Sequence, residues 1–149
     1  NANFATGESG QFIKDLSKLK EKDDALIGVI CMYSEQKRLI RQKFNQGIWN
    51  DGFKSLVKID TVDSYQGKEN RIIIVSLTCS DKQKTPGFLR TPNRINVAIS
   101  RAMDRLLILG NGDMWTAQHR DKPLGQIISY MRDNGEDGSY KFIPSARRP

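Results

Sequence analysis

Residues 61–78 read TVDSYQGKENRIIIVSLT, a polar stretch that runs directly into an apolar one. The apolar part, residues 71–78, predicts a buried strand because residues 72–75 are β-branched throughout and pack well on a pleated surface. The polar part joins this strand to another expected at residues 55–60. Its polar groups therefore lie at the edge of a sheet rather than in a core.

Helical and strand patterns alternate around this stretch. Apolar residues recurring at helical spacing predict the helices, and short apolar runs predict the strands. Ser34 is the expected N-cap of a helix whose Leu39, Ile40 and Phe44 face inward. The alternation predicts an α/β fold with a mostly parallel sheet and helices on both faces. The predicted elements are helices at 11–22, 35–46, 92–102 and 124–132, strands at 25–32, 55–60, 71–78 and 106–110, loops at 47–52 and 79–90, a cap at Thr91 and a turn at 135–138.

Composition indicates a soluble domain with a polyanionic partner. The chain has 149 residues, of which 38% are hydrophobic and 28% charged, and its formal net charge is +7. A basic chain favours nucleic acid, because Lys and Arg displace condensed counterions from phosphates. The apolar runs fall far short of the roughly 20 residues that cross a bilayer, so no membrane partner is expected.

The cysteines and the single histidine predict no metal site. Cys31 and Cys79 lie in or beside apolar runs, without the spacing of zinc ligands or of a disulfide framework. Such cysteines fit a reducing cytoplasm, which is the expected location. His119 lies among polar residues and is interpreted as a surface residue.

A second polar cluster occupies residues 93–102, which read NRINVAISRA. On a helix, Arg94 and Arg101 project from nearly the same direction, opposite an apolar stripe of Ile95, Ala98, Ile99 and Ala102. Two guanidiniums near a strand end suit phosphate oxygens. The alternative is that they are surface arginines or ion-pair partners, just as residues 61–69 could be a solvated turn in which Asp63 caps a short helix.

In this order, the two clusters resemble the C-terminal, second RecA-like motor domain of superfamily 1 helicases. The similar group contains the nonsense-mediated-decay RNA helicase and related bacterial DNA helicases. Residues 61–69 with the strand after them resemble motif V, and residues 87–89 with 93–102 resemble motif VI and its approach. Residues 27–33, followed by Gln36 and Arg38, resemble the preceding strand and helix.

The resemblance covers roughly residues 25–112 and implies a fold. That fold is a RecA-like, P-loop NTPase-type three-layer sandwich. Residues 1–149 would form one domain, in which 113–149 are a C-terminal helix and tail.

The resemblance also implies nucleotide-binding roles. Arg101 matches the motif VI arginine finger, a fixed cation that stabilises the phosphoryl group transferred from ATP. Arg94 matches a second basic residue of motif VI, which braces the same catalytic cleft. Gln66, Gly67 and Glu69 match the nucleotide side of motif V, with Glu69 near the ribose and Gln66 coupling nucleotide state to the nucleic acid.

Nucleic-acid contacts follow from the same resemblance. Thr61 and Asp63 lie toward the nucleic acid in the family, and Tyr33 belongs to the region facing its backbone. The implied partner is single-stranded DNA or RNA. We further expect Thr61, Glu69 and Arg101 to lie at the same edge of the sheet.

The sequence contains no G-x-x-x-x-G-K-[ST] phosphate loop and no Asp-Glu magnesium motif after a strand. The family places both in its first motor domain, so ATP and Mg²⁺ are expected to be bound mainly by a first RecA-like domain outside this chain. With its polar opening and no initiator Met, the chain is interpreted as a fragment that is inactive alone and binds single strands weakly and salt-dependently. The alternative is a non-catalytic RecA-like module that binds nucleic acid or protein.

Overall fold

A four-stranded parallel sheet organises most of the structure, a computed structural model that describes residues 25–77, 92–110, 115 and 119–134. The expected α/β fold is confirmed. The strands are β1 (Ile27–Cys31), β2 (Val57–Thr61), β3 (Asn70–Ser76) and β4 (Ala102–Leu109), in the spatial order β2-β1-β3-β4. The helices are α1 (Ser34–Gln46), α2 (Asp51–Ser55), a 3₁₀ helix (Asp63–Tyr65), α3 (Pro92–Ile99) and α4 (Pro123–Asp133).

The described residues fall into two compact units. The first combines residues 25–77 with 93–110 and holds the whole sheet, and the second contains residues 92, 115 and 119–134. In the second unit Trp115 is buried, and its ring centroid lies 5.9 Å from that of His119. His119, expected at the surface, is therefore only partly exposed. The expected single domain over residues 1–149 stays a prediction.

Parallel pairing gives the sheet two chemically distinct edges. Cys31, the last residue of β1, pairs with Thr61 at the end of β2 and with Ser76 at the end of β3. At the opposite end, Asn70 at the start of β3 pairs with Ala102 at the start of β4. We call these the carboxyl edge and the amino edge. Between them lies the core, which includes Ile30, Cys31, Ile73 and Val75.

A crossover of eight residues, 62–69, links β2 to β3. Because β1 lies between these strands, the crossover must pass over β1 on its way from the carboxyl edge to the amino edge. Tyr65 fills the space over Gly28, where an added Cβ would lie only 2.6 Å from the Tyr65 hydroxyl. Tyr65 is fully buried, and its hydroxyl donates to the Lys58 carbonyl at 3.3 Å. Parallel connections generally need a dozen or more residues, so this one is short.

Helix α1 differs from its prediction at its start and on its inner face. The N-cap residue is Tyr33, in extended conformation and without a side-chain capping bond, so Ser34 is the first helical residue. Leu39 is 50% exposed, which contradicts its expected inward position. Ile40 and Phe44 are partly buried, and Gln36 is the buried residue of this helix.

Helix α3 ends at Ile99 rather than at residue 102. Ala102 continues the apolar stripe of the sequence, but it is the first residue of β4 and pairs with Asn70. The predicted loop at residues 47–52 is also shorter, because Asn50 caps helix α2 by accepting a hydrogen bond from the Gly52 N–H at 2.7 Å.

Several predictions lie outside the described residues. These are the helix at 11–22, the loop at 79–90, the cap at Thr91, the turn at 135–138 and the surroundings of Cys79. Cys31 is buried and free, as expected. Within the described ranges, no helix is both long and apolar enough to span a bilayer.

Candidate functional site

The carboxyl edge brings together the three residues assigned to nucleic acid: Tyr33, Thr61 and Asp63. Tyr33 lies two residues after the end of β1, and Thr61 ends β2 beside Cys31. The Val62 N–H donates to the Cys31 carbonyl at 3.0 Å, which holds the start of the crossover at this edge. Asp63 is exposed, and Tyr33 and Thr61 are partly exposed. All three can therefore be reached from solvent on one edge.

Arg94 lies with this group. Its Nη2 is 3.2 Å from Asp63 Oδ2, and the two side chains are 30% and 62% exposed. The pair links α3 to the start of the crossover and offsets the negative charge that Asp63 would present to a phosphate. This is the ion pairing that the sequence left open. Arg94 lies near the start of α3 and Arg101 just beyond its end, so the two guanidiniums are not side by side; the assignment of Arg94 to the catalytic cleft stays a prediction.

Asp60 fixes the backbone beneath Thr61. Its side chain is only 17% exposed, lies 3.3 Å from Lys37 Nζ, and accepts a hydrogen bond from the Thr61 N–H at 2.9 Å. Burial alone would raise the pKa of Asp60, but the hydrogen bonds from Thr61 and Lys37 outweigh it and hold this pKa below its ordinary value. Asp60 is therefore ionised and anchors the end of β2.

Gln36 ties two strand ends together at the same edge. Its Nε2 donates to the Ser76 carbonyl at 2.9 Å and to the Ser76 hydroxyl at 2.8 Å, while its Oε1 accepts from the Met32 N–H at 3.1 Å. The sequence placed Gln36 only within a matching segment. A polar residue on the inner side of α1 is the signal that could have found this role.

The amino edge carries the nucleotide candidates Glu69 and Arg101. Glu69 immediately precedes β3, and the Asn70 N–H donates to the Arg101 carbonyl at 3.0 Å. The expectation that Thr61 shares an edge with Glu69 and Arg101 is therefore wrong. Residues 61–69 run from the carboxyl edge of the sheet to its amino edge, so the two ends of this motif lie at opposite edges.

A cleft of about 290 Å³ opens at the amino edge. Gly67 has φ +78°, and a Cβ there would meet no heavy atom within 4 Å, so a ligand can approach its backbone closely. Glu69 can accept hydrogen bonds from hydroxyl groups, and two lysines can attract phosphate oxygens. Lys58 and Met103 were missed because they lie outside the motifs. The lining residues are Lys58, Gly67, Lys68, Glu69, Asn70 and Met103.

Arg101 folds back on the end of α3. Its Nε donates to the Val97 carbonyl at 3.2 Å, and its Nη2 donates to the Ser100 hydroxyl at 2.9 Å. A cation at this position interacts favourably with the carboxyl end of the helix dipole. The guanidinium is partly exposed, so it can leave this position without disturbing the core.

The amino-edge residues fit one side of a nucleotide but not a magnesium ion. Glu69 is a single carboxylate beside two lysines, whereas Mg²⁺ sites combine carboxylates with substrate phosphates. In the part of the chain that the structure describes, no group of three His, Cys, Asp or Glu residues is arranged to hold a metal.

Comparison with known proteins places the chain in a family. A family model described as an AAA domain matches residues 4–113, which is more than half of the chain. The chain belongs to this family. Together with the parallel α/β sheet, this membership and the helicase relatives described next confirm the resemblance to a superfamily 1 helicase motor domain.

Three relatives carry helicase names. The helicase required for RNAi-mediated heterochromatin assembly 1 of Schizosaccharomyces pombe is 35% identical over 79% of this chain and 12% of its own length. An uncharacterised ATP-dependent helicase of Methanocaldococcus jannaschii is 29% identical over 91% of this chain and 19% of its own. The ATP-dependent helicase NAM7 of Saccharomyces cerevisiae is 40% identical over 57% of this chain and 9% of its own. The chain thus spans less than a fifth of each relative.

Proposed function

We propose that the chain is the second RecA-like motor domain of an ATP-dependent helicase. It would supply one side of the ATP site and part of a single-strand track. The observation that carries this proposal is the separation of the two residue groups: Gly67, Glu69 and Arg101 lie at the amino edge, and Thr61 and Asp63 at the carboxyl edge.

At the amino edge, the chain's own groups suit the binding of ATP. Glu69 would accept a hydrogen bond from a ribose hydroxyl, and Lys58 and Lys68 would attract phosphate oxygens. Arg101 would leave the end of α3 and place its guanidinium on the transferring phosphoryl group, where a preorganised cation lowers the barrier. ATP supplies that phosphoryl group when bound. The phosphate loop and the magnesium ligands would come from the first motor domain.

At the carboxyl edge, the groups suit a polyanionic strand. Thr61 offers a hydroxyl, Tyr33 an aromatic ring, and Arg94 a cation that pairs with Asp63. The partner is single-stranded DNA or RNA. Gln66 lies within the crossover between the two edges, which suits its assigned coupling role. A reduced, buried Cys31 is consistent with the cytoplasmic location that we propose for the protein.

The separation of the edges gives the test. In the intact parent protein, Glu69→Ala should raise the KM for ATP about 10-fold or more, the effect of losing a hydrogen bond to a charged group, with single-strand affinity unchanged. Thr61→Ala should instead weaken single-strand affinity and leave the KM for ATP unchanged. Lys43→Ala, which alters an exposed residue of α1, is the control and should change neither quantity.

Two outcomes would count against the proposal. If both variants shift the same parameter, the two edges do not have separate roles. If the intact parent protein shows no ATP turnover stimulated by nucleic acid, the non-catalytic binding module becomes the better account.

A further inference from the structure

Three aromatic side chains form a cluster between α1 and α2, which we call the aromatic patch: Phe44, Trp49 and Phe53. The Trp49 ring centroid lies 5.5 Å from that of Phe44 and 5.4 Å from that of Phe53. Trp49 Nε1 donates to the Phe44 carbonyl at 2.8 Å, so the indole is held in one orientation. Nevertheless Trp49 is 45% exposed, and the neighbouring Ile48 is fully exposed. A contiguous exposed apolar surface of this kind marks an interaction site.

A groove of about 400 Å³ adjoins the aromatic patch, and Phe44 forms part of its wall. Arg41, Lys54 and Lys58 line the groove, and none of the described lining residues is acidic. Arg41 Nη2 lies 3.9 Å from Asp60 Oδ2, and Lys54 Nζ lies 3.8 Å from Asp51 Oδ1, while the side chains of Arg41 and Lys54 are 49% and 38% exposed. Arg41 is also held by a hydrogen bond of 2.9 Å from its Nε to the Ile59 carbonyl. The groove therefore presents two positioned, partly exposed cations, each in a solvent-accessible ion pair, beside the aromatic patch.

We propose that the aromatic patch and the groove bind single-stranded nucleic acid. A base would stack on Trp49, and backbone phosphates would contact Arg41 and Lys54. Single-strand sites combine these two elements, because every base has a π-face and the backbone needs cations. An acidic peptide would use the cations but would leave the fixed, exposed indole without a function.

The far end of the groove lies away from the carboxyl-edge track, since Val57, which starts β2 and lines the groove, is about 13 Å from Thr61 at the usual rise per residue. The near end approaches the track, because Ile59 also lines the groove and Arg41 pairs with Asp60, next to Thr61. The inference deepens the proposed function and rests on it for the identity of the ligand. It adds a second contact, so that the bound single-stranded nucleic acid would extend along β2, the outer strand of the sheet.

Binding of oligothymidylate or oligouridylate of about 15 nucleotides to the full 149-residue chain tests the site. The chain has two tryptophans, and Trp115 is buried, so Trp115→Phe leaves Trp49 as the reporter. Stacking should quench its fluorescence on titration. In the chain that retains Trp115, Trp49→Ala should weaken binding about 5- to 100-fold. This affinity is measured by the fluorescence anisotropy of a labelled oligonucleotide. Lys54→Ala should reduce the salt slope by about 0.7.

Matched controls come from helix α4. Tyr130→Ala removes an aromatic ring that is 69% exposed, and Arg132→Ala removes an exposed cation. Neither should change affinity. Thermal unfolding of each variant separates binding from folding. If Trp49→Ala lowers the melting temperature but leaves affinity unchanged, the aromatic patch only packs its loop and the proposal is wrong.

Three further results would also overturn the inference. If polyglutamate of the same charge displaces the labelled oligonucleotide as well as unlabelled nucleic acid does, the groove is a site for acidic protein. If Thr61→Ala weakens binding and Trp49→Ala does not, the carboxyl-edge track binds the strand without this second contact. Failure of the chain to bind either oligonucleotide would also refute it.

Discussion

Replacing Arg101 by alanine should separate catalysis from folding. Its guanidinium makes two hydrogen bonds, of 3.2 Å to the Val97 carbonyl and 2.9 Å to the Ser100 hydroxyl, both at the partly exposed end of α3. Losing a cation at such a helix end costs about 0.3–1 kcal/mol, and water replaces part of the lost bonding. Arg101→Ala should therefore lower the free energy of unfolding by only about 1 kcal/mol.

Turnover should respond far more strongly. Removing a cation that stabilises the transferring phosphoryl group slows hydrolysis by about 10³-fold or more. That factor corresponds to about 4 kcal/mol of transition-state stabilisation. Arg101→Lys should recover stability, since it restores the charge at the helix end, but it should recover little turnover, because an ammonium does not reproduce the planar guanidinium.

The assay is steady-state ATP hydrolysis by the intact parent protein with single-stranded nucleic acid, with thermal unfolding measured on the same preparations. Ser100→Ala is the matched control, because it removes one acceptor of Arg101 and leaves the guanidinium in place. It should change both quantities only slightly. Near-normal turnover in Arg101→Ala, together with a lower melting temperature, would show that Arg101 only caps α3.

Three other predictions concern stability and reactivity. Gly28→Ala should lower the free energy of unfolding by about 3 kcal/mol, because the added methyl group overpacks the space beside Tyr65. Gly67→Ala adds its methyl group in open space and should lower this free energy by only about 1 kcal/mol, through its left-handed backbone. Equal losses of stability in urea unfolding would contradict this. Folding lowers the pKa of Asp60 below its ordinary value of 3.8. The stabilisation by the ionised Asp60 is therefore complete above about pH 3.8 and is lost as the pH falls through the pKa of the folded state. Asp60→Asn should reduce the loss of unfolding free energy at acid pH. Burial raises the pKa of Cys31 to about 11, so its thiol is protonated at about pH 8. In a Cys79→Ser variant at that pH, a thiol reagent should modify Cys31 only as fast as the chain opens. Rapid modification of the native chain would contradict this.

Strands β1 and β3 were predictable because each is largely a short apolar run between polar segments, whereas the start of β4 contains charged residues and was predicted four residues too late. Residues 72–75, for example, are β-branched throughout and lie in β3. The end of α3 was not predictable from the same signal. Ala102 fits the helical stripe equally well, and only its pairing with Asn70 assigns it to β4. Periodicity reports which side of an element is apolar, but it carries no information about partners distant in sequence.

The candidate site shows the same limit. Residue types and order single out Thr61, Glu69 and Arg101 as candidates, but residues that share a motif in the sequence need not lie together in space. A connection between parallel strands must return from one edge to the other, so the two ends of the motif separate. Lys58 was missed for a related reason, since it enters the amino-edge cleft through the sheet and not through a motif.

The crossover at residues 62–69 also limits how the length of this chain can vary. An inserted residue would either detach Tyr65 from Gly28 or slip β3 by one position, which would turn each of its side chains to the opposite face. The turn at residues 47–50 has no strand to keep in register, but a change of length there would displace Trp49 from Phe44. Among proteins built on this sheet, insertions and deletions should therefore be excluded from the crossover.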